Sequence, residues 1–484
     1  MLQTLKNAWK TKDIRSKIIF TLFILILYRI GTVIPVPFVE ANDFASNFGG
    51  TILDYMNTLS GGSLGTATLF ALGVSPYINS SIIIQLLAVV FPKLGEIAKT
   101  DKGKMNFITR IVTVALAIVT AIGYYFLLAN AGMLTNAATA GQNSAFWFYG
   151  IVIVACYVAG ASVVMWLAER INEKGIGNGI SIILFANIIS TLPSQIYNLI
   201  SLTISAFQYS ELAWLYGIIS IVVTVAIIAI MVALTVFVIF ITGSERRIPV
   251  QYAKRVVGRK MYGGQNSNLP IKLNMTGVMP IIFASSIVTL IPTILTLCGV
   301  KSTTGGFWGT VYNIFSTNGV VYPVLLFILI IAFAYFYTQI TFDPLEVSNN
   351  LKKNGGTIPG IRQGRPTADY IRKILNKVTL VGALFLGVIA ILPTILGPHC
   401  LQHVFSWIMN GSDAAKEALK YLSDSSMSYY GTLLQNQIQT SVTNLTSMFT
   451  FGGTSLLIVV GVAIETFREL EAQLTMRNYK GFLD

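Results

Sequence analysis

Four long stretches of the chain contain no charged residue, and they constrain the fold more than any other feature. Residues 111–168 hold no Asp, Glu, Lys or Arg over 58 positions, and residues 212–244, 302–342 and 425–464 are equally free of charge. Only 11% of the 484 residues are charged, against about 25% in soluble proteins. A soluble domain could not bury so much apolar surface, and the chain is too apolar to be disordered. The sequence therefore predicts a membrane protein.

Apolar segments of the required length recur along the whole chain. A helix needs about 20 mostly apolar residues to cross a bilayer, and backbone groups in lipid must be bonded within the segment, which favours helices. The fold class predicted is an all-α multipass membrane protein with ten transmembrane helices. The predicted spans are 18–36, 74–92, 107–130, 146–168, 180–200, 214–242, 274–298, 321–342, 377–397 and 450–467.

The basic residues alternate between the two sides of these spans. Of the 33 Lys and Arg residues, 29 fall in the two termini and the even-numbered loops. The odd-numbered loops hold only Lys301, Lys416 and Lys420, and Arg29 lies within the first span. Because positively charged loops remain cytoplasmic, both termini are predicted to be cytoplasmic. The first apolar run is too long for a cleaved signal peptide and is predicted to remain as a span.

Loop 243–273 carries seven basic residues, and loop 343–376 carries seven when Lys377, the next residue, is counted with it. They are longer than orientation requires. One interpretation is a topology signal with affinity for anionic lipids. The other is a docking surface for an acidic partner, RNA included. Turn-forming Gly and Pro residues in the second loop favour a shaped surface over a floppy one.

The spans contain almost no ionisable side chain. Solute transporters commonly bury such groups at mid-membrane, and no nucleotide-binding or catalytic motif is present, so an enzyme is not expected. Ile78 and Ile82 share one helical face, as do Ile180 and Leu184. These residues either pack helices together or form an apolar constriction that blocks ions, and composition leaves both readings open.

One group of possible metal ligands lies in the last external loop, 398–447. His399, Cys400 and His403 lack a fourth ligand and match structural zinc poorly, so neither a metal nor a cofactor is predicted. A short helix with an N-cap at Ser412 is expected in the same loop, to which no role is assigned.

Six segments of the sequence, taken in order, resemble the SecY family of bacterial protein-conducting channels. The segment RNYKGFL near the end is similar to Gram-positive members of that family. The six segments are SGGSLGTATLFALGVSPYINSSIIIQLL, MWLAERINEKGIGNGISIILFANI, RRIPVQYAKRVVGR, LPIKLNMTGVMPIIFASSI, NNLKKNGGTIPGIRQGRPTADYI and FGGTSLLIVVGVAIE.

The resemblance implies two pseudo-symmetric halves, residues 1–200 with spans 1–5 and residues 201–484 with spans 6–10, related as an inverted repeat. Such a clamshell would pass unfolded secretory polypeptides across the cytoplasmic (plasma) membrane. It would release transmembrane segments sideways through a lateral gate between spans 2 and 3 and spans 7 and 8. A plug near 61–72 and an apolar pore ring would seal it.

The resemblance also assigns site residues by motif position. The pore ring would consist of Ile78, Ile82, Ile180, Leu184, Ile282 and Ile458. The plug would include Gly61, Gly62, Leu64 and Leu69. The polar gate residues would be Gln85 and Ser286.

The partners follow from the same resemblance. Lys254, Arg255, Arg259 and Arg362 in the two basic loops would bind the SecA motor ATPase or the ribosome. ATP hydrolysis would belong to SecA, so this chain would not be an enzyme. Small SecE-like and SecG-like membrane subunits would brace the channel, and signal sequences and nascent polypeptides would enter it.

Overall fold

The computed structural model describes most of the chain as helices. The residues described are 2–40, 52–134, 144–208, 213–252, 255–257, 260–262, 266–300, 306–315, 321–395 and 453–475.

Fifteen helices lie within the described residues, and ten of them overlap the ten predicted spans: α2, α4, α6 to α10, α12, α14 and α15. The first eight are α1 (Leu2–Lys10), α2 (Lys12–Gly31), α3 (Ile52–Leu59), α4 (Ser75–Val90), α5 (Pro92–Thr100), α6 (Lys102–Asn130), α7 (Ser144–Lys174) and α8 (Gly179–Gln208). The others are α9 (Ala213–Gly243), α10 (Met279–Leu297), α11 (Phe307–Phe315), α12 (Val321–Thr341), α13 (Pro344–Lys353), α14 (Arg365–Ile395) and α15 (453–475).

Several helices are long and apolar enough to cross a membrane, so the chain is a multi-pass membrane protein. Among the described residues five helices meet this criterion, and α4 with α5 makes a sixth if the pair, bent by 117°, is one span. Shorter apolar segments lie at Gly179–Ser194 and Ile228–Gly243. The count of ten spans stays a prediction, with which these helices are consistent.

Several helix boundaries differ from the predicted spans, and two of the differences have a clear local reason. Helix α10 begins at Met279 because Gly277 has φ +65 and Pro280 occupies the first turn, where proline is favoured. Helix α14 begins at Arg365, twelve residues before the predicted span. Its first turns are polar, and hydropathy marks only the apolar part of a helix.

Helix α10 lies at the centre of the bundle. It packs against α3, α4, α6, α11 and α12. The largest buried apolar cluster takes side chains from α10 and eight other helices, namely α2, α4, α7, α8, α9, α12, α14 and α15. A second cluster joins residues 53–72 to α6 and α7. A single interior core therefore holds helices from both ends of the sequence together.

A small sheet joins the two basic loops, a feature that the sequence analysis missed. Strand β1 (Glu245–Tyr252) pairs antiparallel with β4 (Asn266–Lys272) and, on its other edge, with β5 (Gly356–Thr357). Strands β2 (Arg255–Val257) and β3 (Lys260–Tyr262) pair with each other. The sheet packs on α14 through a cluster of aliphatic side chains. These are Ile248, Val250, Ile271, Ile358, Ile371 and Leu375.

A bidentate ion pair connects α6 to α7. Arg110 Nε and Nη2 lie 2.9 and 2.7 Å from the two carboxylate oxygens of Glu169. Glu169 is buried, whereas Arg110 is exposed on one side. Charge-assisted bidentate pairs of this kind are among the strongest side-chain hydrogen bonds.

Replacing Glu169 with Gln should destabilise the protein, because the amide keeps the shape but cannot match both guanidinium donors. We expect a loss of about 1–3 kcal/mol, seen as a lower unfolding temperature of the detergent-purified protein. The control is Glu173→Gln on the same helix, which breaks an exposed pair with Arg170 and should cost less than about 0.5 kcal/mol. Equal unfolding temperatures for the two variants would contradict the prediction.

Candidate functional site

The six residues predicted to form the pore ring meet in the central apolar cluster. They come from four helices, α4, α8, α10 and α15. Five of them are at most 3% exposed, and Ile180 is half-buried against the same cluster. The structure thus brings together side chains that lie up to 380 positions apart in the chain. The six are Ile78, Ile82, Ile180, Leu184, Ile282 and Ile458.

The predicted plug, residues 61–72, folds as a compact series of turns between α3 and α4. Gly61 and Gly62 have φ of +70 and +89, which glycine adopts without a steric penalty. Leu64 is buried in the second apolar cluster. Leu69 packs against the central cluster that contains the six ring residues. The segment therefore lies against both clusters.

Two tyrosines from the long spans α6 and α7 bind the backbone of this segment. The Tyr124 hydroxyl donates to the Leu64 carbonyl at 2.5 Å, and the Tyr157 hydroxyl donates to the Ala67 carbonyl at 3.2 Å. Both side chains are fully buried and pack edge to face. Neither tyrosine was predicted from the sequence, although the hydroxyl of a tyrosine deep in an apolar span needs a hydrogen-bond partner.

The first span also holds the segment through its backbone. The Leu69 amide donates to the Ile34 carbonyl at 2.9 Å, and Pro35 forms an isolated bridge with Thr68. On the opposite side, Gly160 of α7 approaches so closely that a methyl group there would lie 2.0 Å from the Leu69 carbonyl oxygen. The irregular backbone is thus enclosed by protein.

The two predicted gate residues are in different environments. The Gln85 side chain is half-buried; its Nε2 donates to Ser81 Oγ at 2.9 Å and its Oε1 accepts a hydrogen bond from the Tyr337 hydroxyl. The Ser286 hydroxyl bonds to the Ile282 carbonyl of its own helix at 2.8 Å. The polar contact between α4 and the second half of the chain is therefore made by Tyr337 of α12, which the sequence analysis missed.

Only one of the four predicted docking side chains lies in the described part of the chain. Arg362 is exposed, and its carbonyl accepts a hydrogen bond from Thr367 Oγ1 at 2.7 Å, which fixes the turn before α14. Arg255 belongs to β2, but its side chain is not described. Lys254 and Arg259 lie outside the described residues.

Basic groups also cluster where the sheet meets the bundle. Arg468 of α15 donates to the Thr242 carbonyl at 2.7 Å, in the last turn of α9, where a cation is favoured. Loss of solvent around Lys272 lowers its pKa, and the positive charge of Arg468 lowers that pKa further. The hydrogen bond from Arg468 fixes α15 to α9, the helix that leads into β1.

No group of three or more His, Cys, Asp or Glu residues suited to a metal ion occurs within the described ranges. The His399, Cys400 and His403 group lies outside the described residues. So do the remaining residues of the loop 398–447, including Ser412.

A central apolar cluster, a segment of turns enclosed against it and a polar contact between α4 and α12 define a multi-pass helical channel. A solved protein-conducting channel has the same fold, with a TM-score of 0.56 at 16% identity over 95% of this chain and 92% of that chain. The family model described as SecY matches residues 68–414. The chain belongs to the SecY family.

Curated relatives match over the whole of both chains. The protein translocase subunit SecY of Streptomyces coelicolor is 40% identical over 498 aligned positions, and that of Mycobacterium tuberculosis is 38% identical over 499. Canine Sec61 in a ribosome-channel complex covers 95% of this chain and 92% of its own, with a TM-score of 0.55 at 16% identity. The predicted family, fold class and function as a protein-conducting channel are thereby confirmed.

Proposed function

We propose that this chain carries unfolded polypeptides across the cytoplasmic membrane through a path sealed by the six clustered aliphatic residues. One observation supports this proposal most strongly. Bulky apolar side chains from four helices, far apart in sequence, meet in one buried cluster, and residues 61–72 pack against it. An apolar constriction blocks hydrated ions, because none of its groups replaces their water shell. A flexible polypeptide passes once the ring widens.

The two halves, residues 1–200 and 201–484, would part to open this ring and the lateral gate. Helix α10 of the second half packs directly on α4 and α6 of the first, where the gate is expected. Gln85 and Tyr337 hydrogen-bond across the same boundary. An entering signal sequence can replace this hydrogen bond with its own contacts. The bond therefore suits a gate that opens when a signal sequence binds.

The sheet formed by the two basic loops would be the docking platform on the cytoplasmic side, with both termini there. SecA or the ribosome would bind it, the latter as in the canine ribosome-channel complex. Arg362 is exposed in the second basic loop, and Lys254, Arg255 and Arg259 belong to the first. SecA would hydrolyse the ATP. SecE-like and SecG-like subunits would brace the bundle, and anionic lipids would meet the basic surface.

A solute carrier, the alternative weighed from sequence, receives less support. Carriers place ionisable groups around a mid-membrane site, whereas the centre of this bundle is a cluster made mainly of aliphatic and phenylalanine side chains. The SecY relatives that match the whole chain also favour the channel.

Polar substitution of the ring should make the channel leak. Replacing Ile78, Ile82, Ile282 and Ile458 with Ser should raise ion conductance in reconstituted vesicles and relax selectivity for signal sequences, since water then enters the constriction. The control is Ile83→Ser, on an exposed face of α4. Unchanged conductance in the fourfold variant would remove the ring assignment.

Loss of the gate hydrogen bond should make opening easier. Tyr337→Phe removes the donor to Gln85 and should increase export of precursors with weakened signal sequences by about fivefold, the equivalent of one buried hydrogen bond. Tyr335→Phe is the matched control, because that hydroxyl bonds to the Asn376 carbonyl on α14. Equal export in the two variants would exclude a gating role for Tyr337.

Charge reversal on the platform should impair docking. Arg362→Glu should reduce SecA-driven export severalfold while the chain still inserts into the membrane, and Arg362→Lys should retain most export because it keeps the charge. Export driven by purified SecA into membrane vesicles measures the effect. Normal export by Arg362→Glu would remove this residue from the docking site.

A further inference from the structure

A fully buried amide lies where α3 ends and the segment 61–72 begins. Asn187 of α8 is 0% exposed, and its side chain takes part in three hydrogen bonds. Its Nδ2 donates to the Leu59 carbonyl at 2.7 Å and to the Tyr28 hydroxyl at 2.9 Å. Its Oδ1 accepts from Arg29 Nη2 at 3.3 Å. An asparagine amide offers two donors and one acceptor oxygen, so both ends of this side chain are engaged.

The bond to Leu59 has a specific structural meaning. Leu59 is the last residue of α3, and the final carbonyls of a helix have no partner within the helix. Asn187 satisfies that carbonyl where no other partner for it is described. The bond therefore fixes the point at which the helix stops and the turns begin.

Gly61 completes the contact by its lack of a side chain. A Cβ at this position would lie 2.9 Å from both Arg29 Nη1 and Asn187 Oδ1, and the residue has φ +70. Arg29 itself is anchored by a 2.5 Å hydrogen bond from Nη2 to the Ala186 carbonyl. The start of the segment therefore packs directly against the polar side chains of Arg29 on α2 and Asn187 on α8.

We propose that Asn187 is the positioning residue that latches the plug shut, an inference that rests on the proposed plug role of residues 61–72. When the plug leaves, the Leu59 carbonyl and the Asn187 amide lose their partners inside the protein, and water must enter to replace them. Leaving such groups unsatisfied is costly. The latch therefore favours the closed state without any charge in the ring.

The hydrogen bonds of the latch also indicate which half of the channel holds the plug when the two halves part. Asn187, Tyr28 and Arg29 all belong to the proposed first half, as do Tyr124 and Tyr157, which bind the plug backbone. The hydrogen bond described from the second half to α3 runs from Thr293 to the sulfur of Met56 at 3.3 Å, and sulfur is a weak acceptor. Parting of the halves alone leaves the latch closed, so its release is a separate step.

The test measures how often the plug leaves its site. Ser63 is 1% exposed, so a Ser63→Cys reporter should react with a membrane-impermeant maleimide only when the plug is displaced. In the complete translocon, Asn187→Leu, which keeps the volume but not the hydrogen bonds, should raise the labelling rate about tenfold. Tyr28→Phe removes one partner and leaves the Leu59 bond, so it should raise the rate less.

Two controls separate latch release from general loosening. Ser190→Ala, one turn further along α8, removes a hydroxyl whose hydrogen bond within the described residues is to the Asn187 carbonyl of its own helix, and it should leave labelling unchanged. Native Cys298 is exposed, and its labelling rate should stay constant in every variant. If Asn187→Leu proves too unstable to purify, Tyr28→Phe carries the test.

A deletion of residues 61–70 distinguishes the possible failures. Increased ion leak from the deletion, with faster Ser63→Cys labelling in Asn187→Leu, supports the latch. Leak from the deletion with unchanged labelling in Asn187→Leu and Tyr28→Phe overturns the latch and leaves the plug role standing. No leak from the deletion overturns the plug role and the latch with it.

Discussion

Every backbone polar group inside the membrane needs a partner supplied by the protein, and the rest of this structure depends on that requirement. Helices meet it internally. The segment 61–72 does not, because its turns leave carbonyls without helical partners. Tyr124 and Tyr157 supply partners within the segment, and Asn187 supplies one for the last carbonyl of α3 just before it, so the three side chains come from three different spans. A non-helical piece can therefore sit within the bundle only in the place where these side chains reach it, which makes its position specific.

The side chains of the central apolar cluster have two effects at once. Burial of bulky side chains from α4, α8, α10 and α15 holds the helices together, and the dense packing of such a cluster leaves no room for hydrated ions. Because aliphatic contacts are non-directional, they re-form after a polypeptide has separated them. The polar contacts, at Gln85 with Tyr337 and at Asn187, lie beside this cluster and not in it. In the proposed channel, apolar contacts would thus seal the path and polar contacts would control its opening.

The sequence alone predicted a multi-pass helical membrane protein, because hydropathy acts locally and can be read residue by residue. Grouping of the six ring residues required the family resemblance, since four helices meet only in the folded protein. Tyr157, Asn187 and Tyr337 escaped prediction because their partners lie 90, 128 and 252 positions away. The sheet was different: the burial of Ile248 and Val250 alternates with exposed neighbours in ERRIPVQY, a period-two signal that was present and overlooked.

The sheet is connected to two of the helices that carry predicted ring residues. A movement of the sheet would therefore reach the ring. Strand β1 begins two residues after α9, and β4 ends seven residues before α10, which carries Ile282. The Arg468 bond to Thr242 fastens α15, which carries Ile458, to the end of α9. Because packed helices tend to move as rigid bodies, a displacement of the sheet would be passed to α10 directly and to α15 through α9. Under the proposed docking role, a partner bound at the basic loops would therefore act on two of the four ring helices without entering the membrane.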